Sequence, residues 1–119
     1  MIGAILGGLA VALGAFGAHA LKTLLIENNR VETFELAVKY QFYHALAIMV
    51  LGSIGHQLHE KRVLWSRTCF ILGTTIFSGS LYLLSLSGKT FWGAITPIGG
   101  ASLIAGWALL AFASAKLPK

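Results

Sequence analysis

Charge is scarce in this sequence, and what there is lies in a few places. Among 119 residues there are nine Lys/Arg and four acidic residues; aspartate is absent, and all four glutamates lie between Glu27 and Glu60. Four long stretches, 1–21, 40–57, 68–88 and 90–115, carry no charged residue at all. That excludes paired carboxylates working inside those stretches. The net charge of +5 comes without any basic cluster interleaved with aromatics, so a nucleic-acid surface is not expected. A lone cysteine, Cys69, excludes an internal disulfide and any CxxC-type metal motif, and fits a small residue packed among helices. The chain also lacks a Lys or Arg ahead of its first apolar run. The small-residue triplet Ala18-His19-Ala20 therefore reads as the end of a retained helix, not as a signal-peptide cleavage site.

What is abundant is apolar surface. The composition is 56% hydrophobic, with a mean hydropathy of +0.78, which places the chain among membrane proteins. Each uncharged stretch is long enough for a helix of roughly 20 residues, the length that crosses a hydrocarbon core of about 30 Å. The expected architecture is all-α: one domain, 1–119, built as an integral membrane bundle of four transmembrane helices at about 2–21, 40–59, 68–86 and 97–115. The segments are too long and continuous for barrel strands. Between the first two spans, 22–39 is polar. A turn is expected at 27–29, followed by an interfacial helix in which Val31, Phe34 and Val38 recur at helical spacing beside Glu32, Glu35 and Lys39. The segment 60–67 is expected to be a short charged connection. Thr96 and Pro97 together form a helix start, Thr as N-cap and Pro at the first helical position.

Orientation follows from the basic residues. Lys61, Arg62, Arg67, Lys116 and Lys119, five in all, fall on the side of both termini, and Lys22, Arg30, Lys39 and Lys89, four in all, fall on the other. The positive-inside rule leans toward cytoplasmic termini. Trp65 and Trp92 fall at the boundaries that aromatic anchors prefer, whereas Trp107 lies mid-span, where packing or lipid contact is its expected role.

Helical projection assigns faces to each span. In the first, Ile2, Ile5, Leu6, Leu9, Leu13 and Phe16 gather on an arc that should face lipid. Gly3, Gly7, Ala10, Gly14 and Gly17 make one small stripe; Ala4, Gly8, Ala12 and Ala15 make another, which His19 would continue toward the interior. Small stripes let helix backbones approach where no hydrophobic effect separates helix from lipid. His44 shares a face with Ala37, Gln41, Ala45, Gly52 and Gly55. Thr74, Thr75, Ser78, Tyr82 and Ser85 share another, and Gly99, Ser102, Gly106 and Ala113 a third.

Antiparallel connection then gathers His19, Gln41, His44, Ser78, Tyr82 and Thr96 at one leaflet, beside the fourth helix's N-terminus at Pro97, Gly99 and Gly100. The leading reading is structural: buried polar groups are costly unless paired, so these residues bond one another and hold the helices in register. A second reading is a buried site for a lipid headgroup, a quinone-like molecule or a small solute, helped by the N–H groups of Ile98, Gly99 and Gly100. A metal site would have only half of a usual ligand set in His19 and His44. Catalysis would rest on Ser78-Gly79-Ser80 and a distant histidine, the weakest pattern of all. His56 and His59, at i, i+3 spacing beside Glu60, Lys61 and Arg62, read as a solvated helix end in preference to a chelating pair. Neither metal nor cofactor is expected, and no catalytic residue is assigned.

The segments GAFGAHAL (14–21), YQFYHAL (40–46), SGSLYLLSLSG (78–88) and ITPIGG (95–100), with Gly106-Trp107, occur in this order. Together they resemble the YgdD/YwdK-like membrane proteins, the uncharacterised domain family numbered four-twenty-three, over nearly the whole chain. The resemblance implies a small four-span protein, in a bacterium usually of the plasma membrane, and carries no established activity. The polar 27–30 connection is a small departure that puts little in doubt. The functional expectation is a non-enzymatic lipid-binding scaffold or accessory subunit of a membrane complex, with membrane lipids, a second copy or a larger complex as partners. A small-solute transporter or channel is the alternative, and a membrane metalloenzyme a weaker third.

Overall fold

A computed structural model of the chain describes residues 1–115, so the expected basic pair Lys116 and Lys119 lies outside the described residues. The described chain is helical, with five α-helices: α1 (Ile2–Ala18), α2 (Lys22–Glu27), α3 (Val31–Ile54), α4 (Glu60–Ser87) and α5 (Thr96–Ala115). Short 3-10 turns, Gly55–Gln57 and Thr90–Ala94, join the last three.

The helix ends differ from the expected spans for local reasons. The first span stops three residues early. The His19 backbone turns out of the helical region (φ −123°, ψ −81°), and the N–H groups of His19 and Leu21 both close back on the Phe16 carbonyl, at 3.2 and 2.8 Å. The turn expected at 27–29 is present, with Asn29 in the left-handed region (φ 55°), a conformation that asparagine tolerates better than most residues. Segment 31–39, expected as an interfacial helix, is the first part of α3, which continues unbroken through position 40 and ends at Ile54 instead of 59. The charged connection expected at 60–67 is helical: it forms the first two turns of α4, whose N-terminal Arg62 N–H is accepted by the His59 ring at 3.4 Å. At the other end of α4, Gly88 takes a left-handed φ of 73° and donates to Leu84 O, as C-terminal glycines commonly do.

The turn after α2 is tied to that same helix end. The Asn28 amide donates to Ser85 O at 2.9 Å and Leu86 O at 3.3 Å, satisfying carbonyls that a helix C-terminus leaves unpaired. This bond puts the α2–α3 turn and the end of α4 on the same side of the molecule, as the antiparallel reading requires.

The long helices pack in chain order: α1 on α3, α3 on α4, and α4 on α5. Among the described residues no other pair of long helices makes backbone contact, and the molecule is flattened, 56 × 26 × 16 Å. The arrangement is thus an open row of four long helices. Its cause is visible on α1. The Gly3-to-Gly17 stripe meets α3, so closely that a Cβ on Gly3 would lie 2.8 Å from Ala45 O, while Ala4, Gly8, Ala12 and Ala15 remain exposed. The α4–α5 seam is built the same way from both sides. A Cβ at Gly73 would lie 2.9 Å from Leu103 N, and one at Gly106 would lie 2.7 Å from the Phe70 ring. Phe70 is completely buried there, with Ala47, Ile48, Leu51 and Leu103 around it.

Large apolar side chains point outward over most of the surface: Ile5, Leu9, Leu46, Leu72, Ile104 and Phe112 are all exposed. Such a surface is stable in hydrocarbon and unusual in water. By length and composition α4 and the run Thr90–Ala115 can each cross a membrane; α1 is apolar but shorter, at 17 residues.

Gly99 and Gly100 provide a test of the α4–α5 seam. A Cβ on Gly99 would fall 2.8 Å from Phe77 Cα, whereas one on Gly100 would make only ordinary contact with the Phe77 ring at 3.7 Å. Gly99→Ala should lower stability by about 1–3 kcal/mol, and Gly100→Ala should be close to neutral; unfolding in mixed micelles measures both.

Candidate functional site

The polar residues expected to converge are found in separate pairs, most of them spanning two helices. Gln41, buried on α3, is held from both sides: its Nε2 donates to Leu6 O of α1 at 2.8 Å, and its Oε1 accepts from the Tyr82 hydroxyl of α4 at 2.6 Å. One turn away Ser78 Oγ donates to Ala37 O at 2.7 Å, a second link between α4 and α3. The α4–α5 seam has reciprocal links, Ser66 Oγ to Gly106 O at 2.7 Å and Ser102 Oγ to Cys69 O at 2.9 Å. Ser80 and Thr96 hydroxyls meet at 2.6 Å.

His44 is engaged at both ring nitrogens, and the partners fix its tautomer. Tyr40 O can only accept, so Nδ1 carries the proton and donates at 2.7 Å; the Trp107 indole N–H can only donate, so Nε2 accepts it at 3.0 Å. This bond joins α3 to α5 across α4, with Phe70 packed edge-on to Trp107 at a centroid distance of 5.0 Å.

Three expectations fail on this geometry. His19 does not point inward: α1 ends before it, its ring is exposed, and His44 has no nitrogen left to bond it. Thr96 does not serve as a simple N-cap, because its hydroxyl reaches Ser80 and, at 3.4 Å, the Trp92 carbonyl behind it. Nor is the N-terminus of α5 an open anion site. Ile95, just after the 3-10 turn, supplies its carbonyl to the Ile98 N–H at 3.0 Å, Gly99 is buried on Phe77, and Pro97 lies exposed. His56, in an exposed 3-10 turn, and His59, the exposed cap of α4, lie at a solvent-facing helix end, the reading preferred over a chelating pair, and are not on one helix.

Two buried polar atoms, Thr74 Oγ1 and Arg30 Nε, lack a partner among the described residues. Thr75, expected beside Ser78, is exposed and bonds Ile71 O on its own helix. Sequence reasoning missed Trp107 as the partner of His44, although a tryptophan at mid-span opposite a histidine is a usable signal. It also missed a cavity of about 500 Å³ between α1, α2 and α3, walled by Gly14, Gly17, Leu25, Phe34 and Val38 and rimmed by Lys22, Glu35 and Lys39. A furrow of about 300 Å³ continues from it along α1 and α3, sharing Gly14, Val38 and Lys39 and ending at Phe42 and Tyr43. The signal for both was the placement of lysines where glycine-rich and apolar segments end.

An apolar exterior, helices of spanning length, and polar side chains that bond neighbouring backbones define the class: a small all-helical membrane protein. Residues 13–100 match the model of a family described as protein of unknown function (DUF423), and the chain belongs to that family. It is 41% identical to the UPF0382 inner membrane protein YgdD of Escherichia coli, covering 98% of this chain and 88% of that protein. It is 40% identical to the UPF0382 membrane protein SH2409 of Staphylococcus haemolyticus, covering 98% and 93%. No solved structure matches.

The Gln41 node gives a graded test. Tyr82→Phe removes one interhelical bond and should cost about 0.5–1.5 kcal/mol. Gln41→Leu removes two and leaves the Tyr82 hydroxyl unpaired, so it should cost more; denaturant unfolding in detergent ranks the pair.

Proposed function

We propose that this protein is a non-enzymatic, four-span scaffold of the bacterial plasma membrane that holds a phospholipid between α1 and α3. The observation that carries the reading is the cavity rimmed by Lys22, Glu35 and Lys39 and continued by an apolar furrow. An anionic phosphate suits two lysines at the end of the first span, and an acyl chain suits the glycine-, valine- and phenylalanine-lined furrow below. With both termini cytoplasmic, that mouth opens at the outer leaflet.

The polar network argues against chemistry as the purpose of the buried hydroxyls: Ser66, Ser78, Ser85 and Ser102 each donate to a backbone carbonyl. A nucleophile would need a base within reach, and His44 is already committed at both nitrogens. The names of the relatives support a membrane location and no more. The exposed stripe Ala4, Gly8, Ala12 and Ala15 supports the accessory-subunit side of the reading, because it offers a second close-approach face that no helix among the described residues occupies.

Native mass spectrometry from bilayer nanodiscs tests the lipid reading. Wild-type protein should retain phospholipid, and the Lys22→Ala/Lys39→Ala double variant should retain at least about tenfold less, on the basis of about 1 kcal/mol for each surface lysine; equal retention rejects the reading. The partner face is tested at Gly8, where an added Cβ meets nothing within 4 Å. Gly8→Leu should leave the monomer folded while abolishing any oligomer or co-purifying subunit seen by size-exclusion chromatography with multi-angle light scattering.

A further inference from the structure

On the side of the row where α3 and α5 flank α4, their side chains meet above its surface and enclose a second cavity. It measures about 550 Å³, within the range of small-molecule sites. Tyr40, Tyr43 and His44 come from α3, Phe77 of α4 forms the floor, and Gly100 and Trp107 come from α5. It shares no lining residue with the lysine-rimmed cavity and meets the furrow that continues from that cavity at Tyr43.

The chemistry of this lining differs from that of an acyl-chain furrow. Tyr40 lies against Phe77 with centroids 4.6 Å apart and planes 26° from parallel, and Trp107 is held by the His44 ring through its indole N–H. Aromatic rings from all three helices, Tyr40, Phe77 and Trp107, line the crevice and suit a flat ring, which gains offset stacking and edge-to-face contact that a flexible chain does not. The polar complement is at one end. His44 has no free nitrogen, whereas the Tyr40 and Tyr43 hydroxyls make no hydrogen bond among the described residues. Both tyrosines follow Lys39 in the first half of α3, while Leu103 and Ile104 line the apolar remainder. A phenol hydroxyl donates to a carbonyl oxygen. Gly100 leaves the α5 wall bare at the level of Phe77, since even an added Cβ would make only ordinary contact with that ring.

We propose that this crevice binds a planar, carbonyl-bearing ring on a hydrocarbon tail, of the quinone class, with Tyr40 donating to a ring carbonyl and the tail leaving past Ile104 into lipid. The site rests on the α3–α4–α5 geometry alone and does not depend on the lysine-rimmed cavity holding phospholipid. No redox step is part of it.

The test is equilibrium binding of a decyl-substituted benzoquinone to the purified full chain in nanodiscs, with decanol and decylbenzene as tail and ring controls. The quinone should bind saturably at one per chain, at least about tenfold tighter than either control. Gly100→Leu, which fills the crevice where there is room for a side chain, should abolish binding while leaving the melting temperature within a few degrees of wild type. Tyr40→Phe should weaken the quinone by about fivefold, the value of one ordinary hydrogen bond, and leave decylbenzene unaffected. Absence of saturable quinone binding overturns the proposal. So does undiminished binding to a folded Gly100→Leu protein, and so does equal affinity for decanol, which would make the crevice an acyl-chain groove. Should Gly100→Leu fail to fold, an unchanged quinone affinity in Tyr40→Phe overturns it.

Discussion

Hydrocarbon offers no hydrogen bonds, and this single constraint organises the structure. A hydroxyl or amide inside the membrane is costly unless it finds a partner in protein. Here the partner is repeatedly the main chain of the neighbouring helix: Gln41 reaches Leu6, Ser78 reaches Ala37, Ser66 and Ser102 reach across the α4–α5 seam in opposite directions, and Asn28 reaches the end of α4. A carbonyl that already accepts a helical bond has a second lone pair available, so these links cost the helices nothing. Each is modest alone, but each also specifies one register, because a shift of one residue would carry the donor about 100° around its helix.

Those bonds need backbones close together, which brings in the glycines. Gly3 and Gly17 on α1, Gly73 on α4, and Gly99 and Gly106 on α5 all lie where a Cβ would collide with the next helix. Short side-chain donors such as serine reach a neighbouring carbonyl only across such a gap. Glycine seam and serine bond are therefore one device. It also explains how so flat a molecule can hold together with few large residues in its core: among the described residues Phe34 and Phe70 are the only aromatic side chains in the set of largest fully buried ones, and Ser66, Ser78 and Ser85 belong to the same set.

Much of this was legible in the sequence, and what was not has physical causes. Uncharged length gave the four long helices, and spacing gave two small stripes on α1, one of which packs, as well as the buried positions Ala37, Gln41, His44, Thr74, Ser78, Gly99 and Gly106. Helix ends were harder. The charged segment 60–67 was read as a connection and 31–39 as an interfacial helix ahead of the second span, yet Glu, Lys and Arg are good helix formers and α4 and α3 run straight through these segments. His19 was misplaced because a projection presumes that the helix continues, and α1 ends one residue earlier. The partner of His44 was misjudged because leaflet membership restricts depth but not azimuth, and the indole of Trp107 was nearer than any second histidine. The open row could not be read from stripes at all, since an exposed small face and a packed one look alike in sequence.

The Asn28 clasp has a bearing on biogenesis. Its acceptors, Ser85 and Leu86, lie 57 and 58 residues downstream. During synthesis α1 and α3 can pair as soon as both have emerged, but the turn beside Asn29 stays unlatched until the whole of α4 has followed. The latch therefore closes only on a chain whose third long helix has been delivered to its full length and in the correct direction. A polypeptide truncated within α4, or inserted with α4 reversed, would keep the amide of Asn28 without these acceptors and leave the connection unlatched.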